Sequence, residues 1–447
     1  MSSAVLDCVP NPLQLDRSHV LMNKFQGPKD SDADYKLVVE SILSFLEDIR
    51  KGTPLEQANA WIREKHYNKD RLRIERLSGD TLPMDKCYIN LSLIESPRDN
   101  DSKQRSGDHT LQSDQFSLAA RLKVETPHKD SQVELSKLFE PRKKPDGQMK
   151  EPRRILIRGR AGVGKTTLCK KIVHDFVEME MWNSLFASVL WVPLRNLKTW
   201  NGPKHGLTGM LRHIYLQQHP DDASLASALQ QHVENSTSRG TLFILDGLDE
   251  ISELLDKRNP SMFDFLVGLL NRMNVIITTR PHVSIPYDFQ KPDLEVETIG
   301  FRSDQVEDYL KAVSTPAVSE NIQSFLQKSP LMRSLVHIPI QLDALCIVWD
   351  KTLVNNEGFK TMTQVYEAIV KRLWRKDIKR LKESQPHIEA LSSSEIEDHT
   401  KQEIYMLESL AFSGMYSNSM KLWDDYHFYG HRMGQQILLP EAIIFYT

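Results

Sequence analysis

One motif of eight residues constrains this chain more than any other feature, and it reads Gly159-Arg160-Ala161-Gly162-Val163-Gly164-Lys165-Thr166. It fits the pattern G-x-x-x-x-G-K-[ST]. The apolar run at 154–158 in front of it predicts a buried strand, and residues 167–173 behind it predict the start of a helix. A glycine loop in this position turns backbone N–H groups inward, and the helix dipole adds its positive end. The motif therefore predicts a phosphate-binding loop.

The side chains of this loop predict how a nucleotide would bind. Lys165 would reach the β- and γ-phosphates, and the hydroxyl of Thr166 would hold Mg²⁺. The run from Gly159 through Thr167 is therefore a candidate nucleotide-binding segment. The alternative interpretation is a surface glycine-rich turn before an ordinary helix, and the flanking strand and helix patterns argue against it.

Composition limits the class of protein. A chain of 447 residues has room for about three domains of ~150 residues each, and its apolar content of 40% is typical of a globular protein. The net charge of −3 argues against a nucleic-acid binder. The four cysteines are scattered, which suits a reducing compartment and argues against zinc. Because no signal peptide and no run of ~20 apolar residues is visible, we expect a soluble cytoplasmic protein without a membrane span.

A second element of a phosphate site is predicted around Asp246. An apolar strand pattern at 241–245 ends in this aspartate, and Gly247-Leu248-Asp249-Glu250 follows it. An aspartate at the carboxyl end of a buried parallel strand can face the loop and bind the water shell of Mg²⁺. Asp249 and Glu250 are both candidates to orient or deprotonate the attacking water, and the sequence does not choose between them. An ordinary Asp-Gly turn is the alternative, and the nearby loop motif argues against it.

A third polar strand end is predicted at Arg280. The apolar run at 275–277 is followed by Thr278-Thr279-Arg280-Pro281. A neighbouring strand end can aim a cation at the γ-phosphate, so Arg280 is a candidate sensor that distinguishes a triphosphate from a diphosphate. The alternative is an arginine that caps a loop, since such arginines are common at strand ends.

These three motifs together resemble a NACHT domain, a branch of the STAND class of signalling P-loop NTPases. The resemblance is carried by G-R-A-G-V-G-K-T-T, L-F-I-L-D-G-L-D-E and I-I-T-T-R-P, and it covers roughly Arg153 to Gly414. The D-G-L-D-E form is the distinguishing piece, because in most other P-loop families the catalytic acid immediately follows the Mg²⁺ aspartate. The resemblance implies ATP or ADP and Mg²⁺ as ligands.

Weaker similarities to the family follow the three motifs. The segment 294–301 followed by Asp308-Tyr309-Leu310 is similar to the family's last strand and first lid helix. The segment His337-Ile338-Pro339-Ile340 is similar to the one whose proline lies against adenine, which makes Pro339 a candidate nucleotide contact. Prolines also stand at many ordinary helix starts. The segment 363–366 opens a helix much as the family does. Val365, Ile369 and Leu373 form an apolar stripe along this helix, which predicts a buried face.

The overall pattern predicts an α/β fold: a P-loop NTPase parallel sheet with helices on both faces, then an all-helical lid domain and a partial winged helix. The region before the sheet is predicted to be α+β. Apolar residues at helical spacing predict a helix over 35–50, and Thr53 with Pro54 and Glu56 predicts the capped start of a second helix. Alternating apolar residues predict a strand over 87–94. The expected divisions are an N-terminal helical hairpin plus strand region (1–95), a flexible loop and basic linker (96–152), a NACHT nucleotide-binding domain (153–300), a helical domain (301–385) and a partial winged-helix domain (386–447).

The C-terminal region departs from the family pattern. Relatives continue through an F-x-H-x-x-F-Q-E-F-like segment whose histidine contacts the β-phosphate of ADP, and then usually into repeats. His427 and His431 lack the downstream pattern, and no internal repeat of 20–50 residues is visible. We therefore expect a chain cut inside its winged helix, without sensor repeats.

Three classes of function are compatible with these motifs. The first is a nucleotide-dependent signalling switch, in which ADP locks a closed state and exchange for ATP permits assembly. Such a switch would hydrolyse ATP slowly and would associate with itself or with other signalling proteins. The resemblance implies innate-immune or self/non-self signalling. The second is a turnover enzyme such as an ATPase or a kinase. The third is a nucleic-acid-binding regulator that uses its winged helix, and the negative charge counts against it.

Overall fold

A computed structural model describes residues 36–43, 52–84, 93–95, 133–143, 147–235, 240–255, 257–281, 283, 285, 288–352, 362–381, 398, 400–402, 404–406 and 408–409. The strands among them are β1 (Ile74–Glu75), β2 (Thr81–Leu82), β3 (Leu93–Glu95), β4 (Arg142–Lys143), β5 (Met149–Lys150), β6 (Arg154–Gly159), β7 (Phe186–Pro193), β8 (Gly240–Asp246), β9 (Val275–Thr279) and β10 (Leu294–Thr298). The α-helices with defined bounds are α1 (Pro54–Lys65), α2 (Lys165–Glu178), α3 (Gly206–Leu211), α4 (Asp222–Asn235), α5 (Pro260–Leu270), α6 (Ser303–Val313), α7 (Pro316–Lys328), α8 (Pro330–Leu335), α9 (Pro339–Thr352) and α10 (Met362–Leu381).

The central sheet has the strand order β3-β10-β6-β9-β8-β7. Five of its strands, β6 to β10, run parallel, and β3 pairs antiparallel with β10 at one edge. A parallel pair needs a crossover connection, and the segments between these strands are mostly helical. The predicted α/β fold is therefore confirmed for the described residues.

Burial along the strands shows that both faces of the sheet are covered. Every residue of β9 is buried, as is nearly every residue of β6 and β8. Alternate residues of a strand point to opposite faces, so continuous burial requires a layer on each side. The core between these layers includes Ile155, Leu156 and Ile157, each at most 1% exposed. This arrangement explains why the strands read as unbroken apolar runs.

Beyond Phe301 the described structure is helical and has a second hydrophobic core. The stripe predicted on α10 is confirmed, since Val365, Ile369 and Leu373 are all buried. They pack with buried residues of α6, α7 and α9, which include Leu310, Ile322 and Leu345. The helical region therefore has a hydrophobic core distinct from that of the sheet.

The N-terminal region is anchored to the sheet through Tyr67. Its helix α1 begins as predicted, with Thr53 and Glu56 forming a reciprocal capping box and Pro54 in the first turn. After the helix, the Tyr67 hydroxyl donates to Val189 O (3.2 Å) and accepts from the Trp191 N–H (2.9 Å). Burial raises the pKa of Tyr67 to about 12, so the hydroxyl stays protonated.

The strand expected at 87–94 is described at Leu93–Glu95, as β3, which pairs with β10, and positions 85–92 lie outside the described residues. One expectation between residues 96 and 152 needs correction. The segment expected to be a loop and a linker contains β4 and β5, which form an antiparallel hairpin. Just before it, Leu138 and Phe139 are buried, and Phe139 stacks edge-on against Trp182 (4.8 Å between centroids). The charge of the segment predicts a solvated linker, but the burial of Leu138 and Phe139 fixes its first part to the core.

Several expectations lie outside the described residues. The first predicted helix is described only at 36–43, and the loop at 96–115 is not described. Within the predicted winged helix, only positions between 398 and 409 are described, and these are helical. His427, His431 and the end of the chain fall beyond them.

Replacing Tyr67 with phenylalanine should lower the free energy of unfolding by about 1–3 kcal/mol, because the Trp191 N–H would lose its acceptor in a buried setting. Urea unfolding followed by tryptophan fluorescence measures this difference. Tyr405→Phe is the matched control, since Tyr405 is 73% exposed and its stability should change by less than about 0.5 kcal/mol. Equal stability of the two variants would contradict the anchoring role of Tyr67.

Candidate functional site

The register of the sheet brings the three sequence motifs to one edge. Thr298 of β10 pairs with Gly159 at the end of β6, and Arg158 pairs with Thr279 at the end of β9. Leu245, directly before Asp246, pairs with Ile277. Because parallel strands end on the same side, the phosphate-binding loop, the aspartate and the threonine pair lie close together. The prediction that these strand ends form one site is consistent with this register.

The loop between β6 and α2 depends on two glycines in the left-handed region. Gly162 has φ +74° and Gly164 has φ +91°, conformations that cost L-residues energy. Gly164 directly precedes the first residue of α2, so it turns the chain into the helix. Of the remaining loop residues, Val163 is buried and Arg160 is exposed. This backbone has the form expected of an anion cradle.

Lys165 lies across the loop. Its Nζ donates to the Gly159 carbonyl (2.8 Å) and to the Arg160 carbonyl (3.1 Å). Burial lowers the pKa of Lys165, the Asp249 charge opposes that change, and Arg280 adds to it. The ammonium group is therefore held at the centre of the loop, among carboxylates and one other cation.

Asp246 is held in place from the neighbouring strand. The Thr278 hydroxyl donates to Asp246 Oδ1 (2.7 Å), and the same hydroxyl oxygen accepts from the Gly247 N–H (2.9 Å). The Cys169 thiol of α2 is also hydrogen-bonded to Asp246, and burial together with that carboxylate raises the pKa of Cys169 well above its usual range. Asp246 is only 6% exposed. The carboxylate is thus oriented by groups from two different elements.

Asp249 and Arg280 form an ion pair within the site. Arg280 Nε lies 3.0 Å from Asp249 Oδ2, and the Asp249 side chain is only 10% exposed. The other oxygen, Oδ1, is buried and has no hydrogen-bond partner among the described residues. Buried carboxylate oxygens are normally hydrogen-bonded. Asp249 therefore keeps one acceptor position for a further group.

Glu250 is half-buried beside these charges. Burial raises the pKa of Glu250, Arg195 opposes the rise, and the charges of Asp246 and Asp249 add to it. A carboxylate with a raised pKa accepts a proton more readily near neutral pH than an ordinary glutamate does. Glu250 follows Gly247, whose φ of +83° allows the tight turn after β8.

The start of α9 is seated on the phosphate-binding loop. The Ile340 N–H points to the Gly162 carbonyl (3.4 Å), and a methyl group on Gly162 would overlap the Ile340 side chain. Just before the helix, Phe301 N–H donates to His337 O (2.7 Å), and His337 Nδ1 contacts Phe301 O (2.7 Å). These contacts bring Pro339, the first residue of α9, next to the loop. Sequence reasoning indicated this segment only by resemblance.

Some residues of the site escaped the sequence analysis. Thr278 was part of a recognised strand end, and its position beside Asp246 is the signal that could have identified it. Cys169 and Arg195 carry no sequence signal, because the fold alone brings them to Asp246 and Glu250. The residues predicted from the motifs are nevertheless in one place, at the carboxyl edge of the sheet and under α9.

Replacing Gly162 with alanine should destabilise the chain through two separate effects. A positive φ strains any L-residue by about 1–2 kcal/mol, and the new methyl would overlap Ile340, which adds about 1–3 kcal/mol. Gly147→Ala isolates the first effect, because Gly147 has φ +86° and open space around its Cα. Urea unfolding of both variants gives the difference, and equal losses would mean that α9 does not rest on the loop.

Comparison with known proteins places these features in a family. The NACHT domain family model matches residues 153–315, which contain the sheet strands β6 to β10 and all three motifs. A domain of unknown function (DUF7068) matches residues 317–361. In the part of the chain that the structure describes, no helix is both long and apolar enough to cross a membrane.

The chain is also similar to individual proteins, some of which carry NACHT in their names. NACHT, LRR and PYD domains-containing protein 3 of Macaca mulatta is 23% identical over 318 residues, which cover 66% of this chain and 28% of that protein. Protein NLRC5 of Homo sapiens is 25% identical over 276 residues, which cover 58% of this chain and 14% of that protein. The chain therefore spans less than a third of the length of these relatives.

A solved structure of the Aeropyrum pernix Orc1 protein in complex with DNA is 13% identical and covers 65% of this chain and 78% of that one, with a TM-score of 0.31. That score is too low to support an argument.

The family model, the NACHT-containing relatives and the strand order agree with one another. Residues 153–315 therefore match the NACHT domain family, and the chain is similar to these two relatives over more than half of its length.

Proposed function

We propose that this chain is a nucleotide-dependent signalling switch of the NACHT type. ADP would favour a closed arrangement of the helical region on the sheet, and ATP would favour one that assembles with copies of the chain or with other signalling proteins. The observation that supports this most directly is the seat of α9 on the phosphate-binding loop, at Gly162 and Ile340. A ligand in the loop must touch both regions, so its identity can bias their arrangement.

The loop residues fit a nucleotide phosphate. Two glycines with positive φ open the backbone, Lys165 stands at the centre, and α2 begins directly after them. A phosphate oxygen is a stronger acceptor for Lys165 than the loop carbonyls that it contacts, because the phosphate carries a negative charge that attracts the ammonium group. The run from Gly159 to Thr167 would bind the phosphates. Pro339 would lie against the base, and family resemblance favours adenine.

Thr166 and Asp246 would hold Mg²⁺, which neutralises phosphate charge when it is bound. Asp246 fits this role because Thr278 and Cys169 orient its carboxylate. No group of three or more His, Cys, Asp or Glu side chains that could hold a metal occurs among the described residues. A magnesium ion in this site would therefore depend on the phosphates for part of its shell, as is usual for Mg²⁺.

Glu250 is our candidate for the base that activates water. Asp249 forms an ion pair with Arg280, whereas burial raises the pKa of Glu250, and the charges of Arg195 and Lys165 only oppose that rise. A general base works best when its pKa lies near the operating pH. Asp249 would then act by positioning Arg280.

Arg280 is our candidate sensor of the γ-phosphate. Its side chain is about one-third exposed and is held by one carboxylate oxygen of Asp249. A γ-phosphate competes with that carboxylate for the guanidinium, and a diphosphate does not reach as far. The ion pair at 3.0 Å thus gives two alternative partners for one cation, which is what a two-state sensor requires.

We further propose a cytoplasmic setting and a role in innate-immune or self/non-self signalling, as the family resemblance implies. The alternatives are a turnover enzyme and a nucleic-acid-binding regulator. Steady-state hydrolysis measured with and without DNA separates the three. Turnover above ~1 s⁻¹ would favour an enzyme, stimulation by DNA would favour the regulator, and slow DNA-independent turnover would favour the switch.

Lys165→Ala should weaken the binding of both ATP and ADP at least tenfold, because one charge-assisted contact contributes about 1.5–3 kcal/mol. Titration calorimetry with each nucleotide in the presence of Mg²⁺ measures the effect. Lys198→Ala is the control, since Lys198 forms a half-exposed ion pair with Glu253 (2.6 Å). Unchanged affinity in a folded Lys165→Ala protein would contradict the assignment of the loop.

Glu250→Gln should slow ATP hydrolysis about 100-fold or more while ATP affinity changes less than about threefold, because the amide cannot accept a proton. Single-turnover phosphate release measures the rate. Glu253→Gln, in the same turn and on the surface, should hydrolyse ATP normally. If Asp249→Asn slows hydrolysis and Glu250→Gln does not, the two carboxylates have the opposite roles.

A further inference from the structure

The segment 52–84, here called the N-terminal strap, contacts both the sheet region and the helical region. It lies before the residues that match the NACHT family model, and none of the sequence motifs includes it. Its first half packs on the nucleotide-binding side, and its hairpin β1–β2 reaches the helical side. The strap is therefore a physical link between two regions whose arrangement the proposed switch would change.

The first half of the strap is fixed to the sheet region by buried polar contacts. Trp61 Nε1 donates to Tyr215 O (2.9 Å), and the Tyr67 hydroxyl contacts the Tyr215 hydroxyl (3.1 Å). Further along, Lys170 of α2 donates to Arg73 O (3.0 Å) and to Glu75 Oε1 (3.0 Å). Since α2 starts at the phosphate-binding loop, Lys170 connects the strap to the helix that follows that loop.

The hairpin of the strap is fixed to the helical region at Asp343. Both Nε and the guanidinium NH2 of Arg76 lie 2.8 Å from Asp343 Oδ1. The Leu77 N–H donates to Asp343 Oδ2 (2.8 Å), and the Tyr309 hydroxyl donates to Asp343 Oδ1 (2.8 Å). The side chains of Arg76 and Asp343 are only 12% and 8% exposed. Leu77 itself is part of the helical core.

Asp343 also lies one helical turn from the contact with the loop. It belongs to α9, and Ile340 of the same helix rests on Gly162. A helix of this kind moves as a rigid unit over one turn, so whatever holds Asp343 also holds Ile340 against the loop. Contacts therefore link the strap to the loop without a gap: Arg76 contacts Asp343, and α9 carries both Asp343 and Ile340, which contacts Gly162.

We propose that the N-terminal strap locks α9 onto the nucleotide site, with Arg76 as the positioning residue and Asp343 as its receptor. The proposal rests on the proposed switch, because it assigns the closed state to the strap. Breaking a buried ion pair from one side leaves the other charge without compensation. Asp343 has three donors in Arg76, Leu77 and Tyr309. When α9 moves away from the strap, Asp343 must lose its contacts with Arg76 and Leu77 together. The closed state is therefore kept or lost as a whole.

The test compares Arg76→Ala and Asp343→Asn with Arg73→Ala in the full chain. Arg73 is the matched control, because it is three residues away in the same strap. Among the described residues its side chain forms an exposed ion pair with Asp70 (3.5 Å) and a hydrogen bond to Thr81 (2.9 Å). We expect a fluorescent ADP to leave Arg76→Ala and Asp343→Asn at least about tenfold faster than wild type. It should leave Arg73→Ala at the wild-type rate.

Hydrogen exchange gives a second readout that needs no nucleotide. In both strap variants, amide exchange should rise in residues 338–345 and in the hairpin β1–β2, while β6 to β9 stay protected as in wild type. The double variant Arg76→Ala/Asp343→Asn should exchange no faster than the faster single variant, because both changes break the same contact. Arg76→Lys, which keeps the charge, should lie between wild type and Arg76→Ala.

The outcomes separate this proposal from the proposed function. Normal ADP release and normal protection of 338–345 in folded Arg76→Ala and Asp343→Asn would overturn the strap and leave the nucleotide switch standing. If the wild-type chain binds no ADP, the proposed function fails, and the exchange experiment still decides the strap. Loss of protection throughout the sheet in both variants would also overturn it, since that result means a general role in folding. Arg76→Lys guards against misreading a variant that does not fold.

Discussion

The close approach of α9 to the phosphate-binding loop is the contact on which the arrangement of this chain depends. It is possible because residue 162 is a glycine with a positive φ, which leaves room for the side chain of Ile340. Any side chain there would separate the helical region from the sheet. The same backbone conformation turns the loop N–H groups toward an anion. One glycine therefore satisfies both a ligand requirement and a packing requirement.

The charges of the site are balanced within a small buried space. Three carboxylates, of Asp246, Asp249 and Glu250, lie near three cations, of Lys165, Arg195 and Arg280. Burial disfavours every one of these charges alone, and pairing compensates for it only where the geometry is good. Arg280 with Asp249, and Thr278 with Asp246, have such geometry. An additional anion at the loop would shift this balance, which is why the partners of Arg280 are informative about ligand state.

The N-terminal strap shows how a region outside the motif-bearing domain can set the state of the site. It is anchored on α2 through Lys170 and on α9 through Asp343, the two helices that meet at the loop. Its contacts are local in space but separated by more than 260 residues along the chain between Arg76 and Asp343. Such pairings carry no pattern that a sequence scan can recognise.

The sequence alone determined the strand-loop-helix motif, the two polar strand ends and the apolar stripe of α10. Each depends on neighbouring residues and a fixed period, and each is present in the structure. The capping box of α1 was readable for the same reason. Only the tertiary structure decided that Asp249 pairs with Arg280, that Cys169 and Thr278 hold Asp246, and that Arg76 reaches Asp343. It also decided that Leu138 and Phe139 are buried in the core and that β4 and β5 form a hairpin, where charge had suggested a linker. These features depend on which distant residues the sheet register and helix packing bring together, and local propensity contains no information about that.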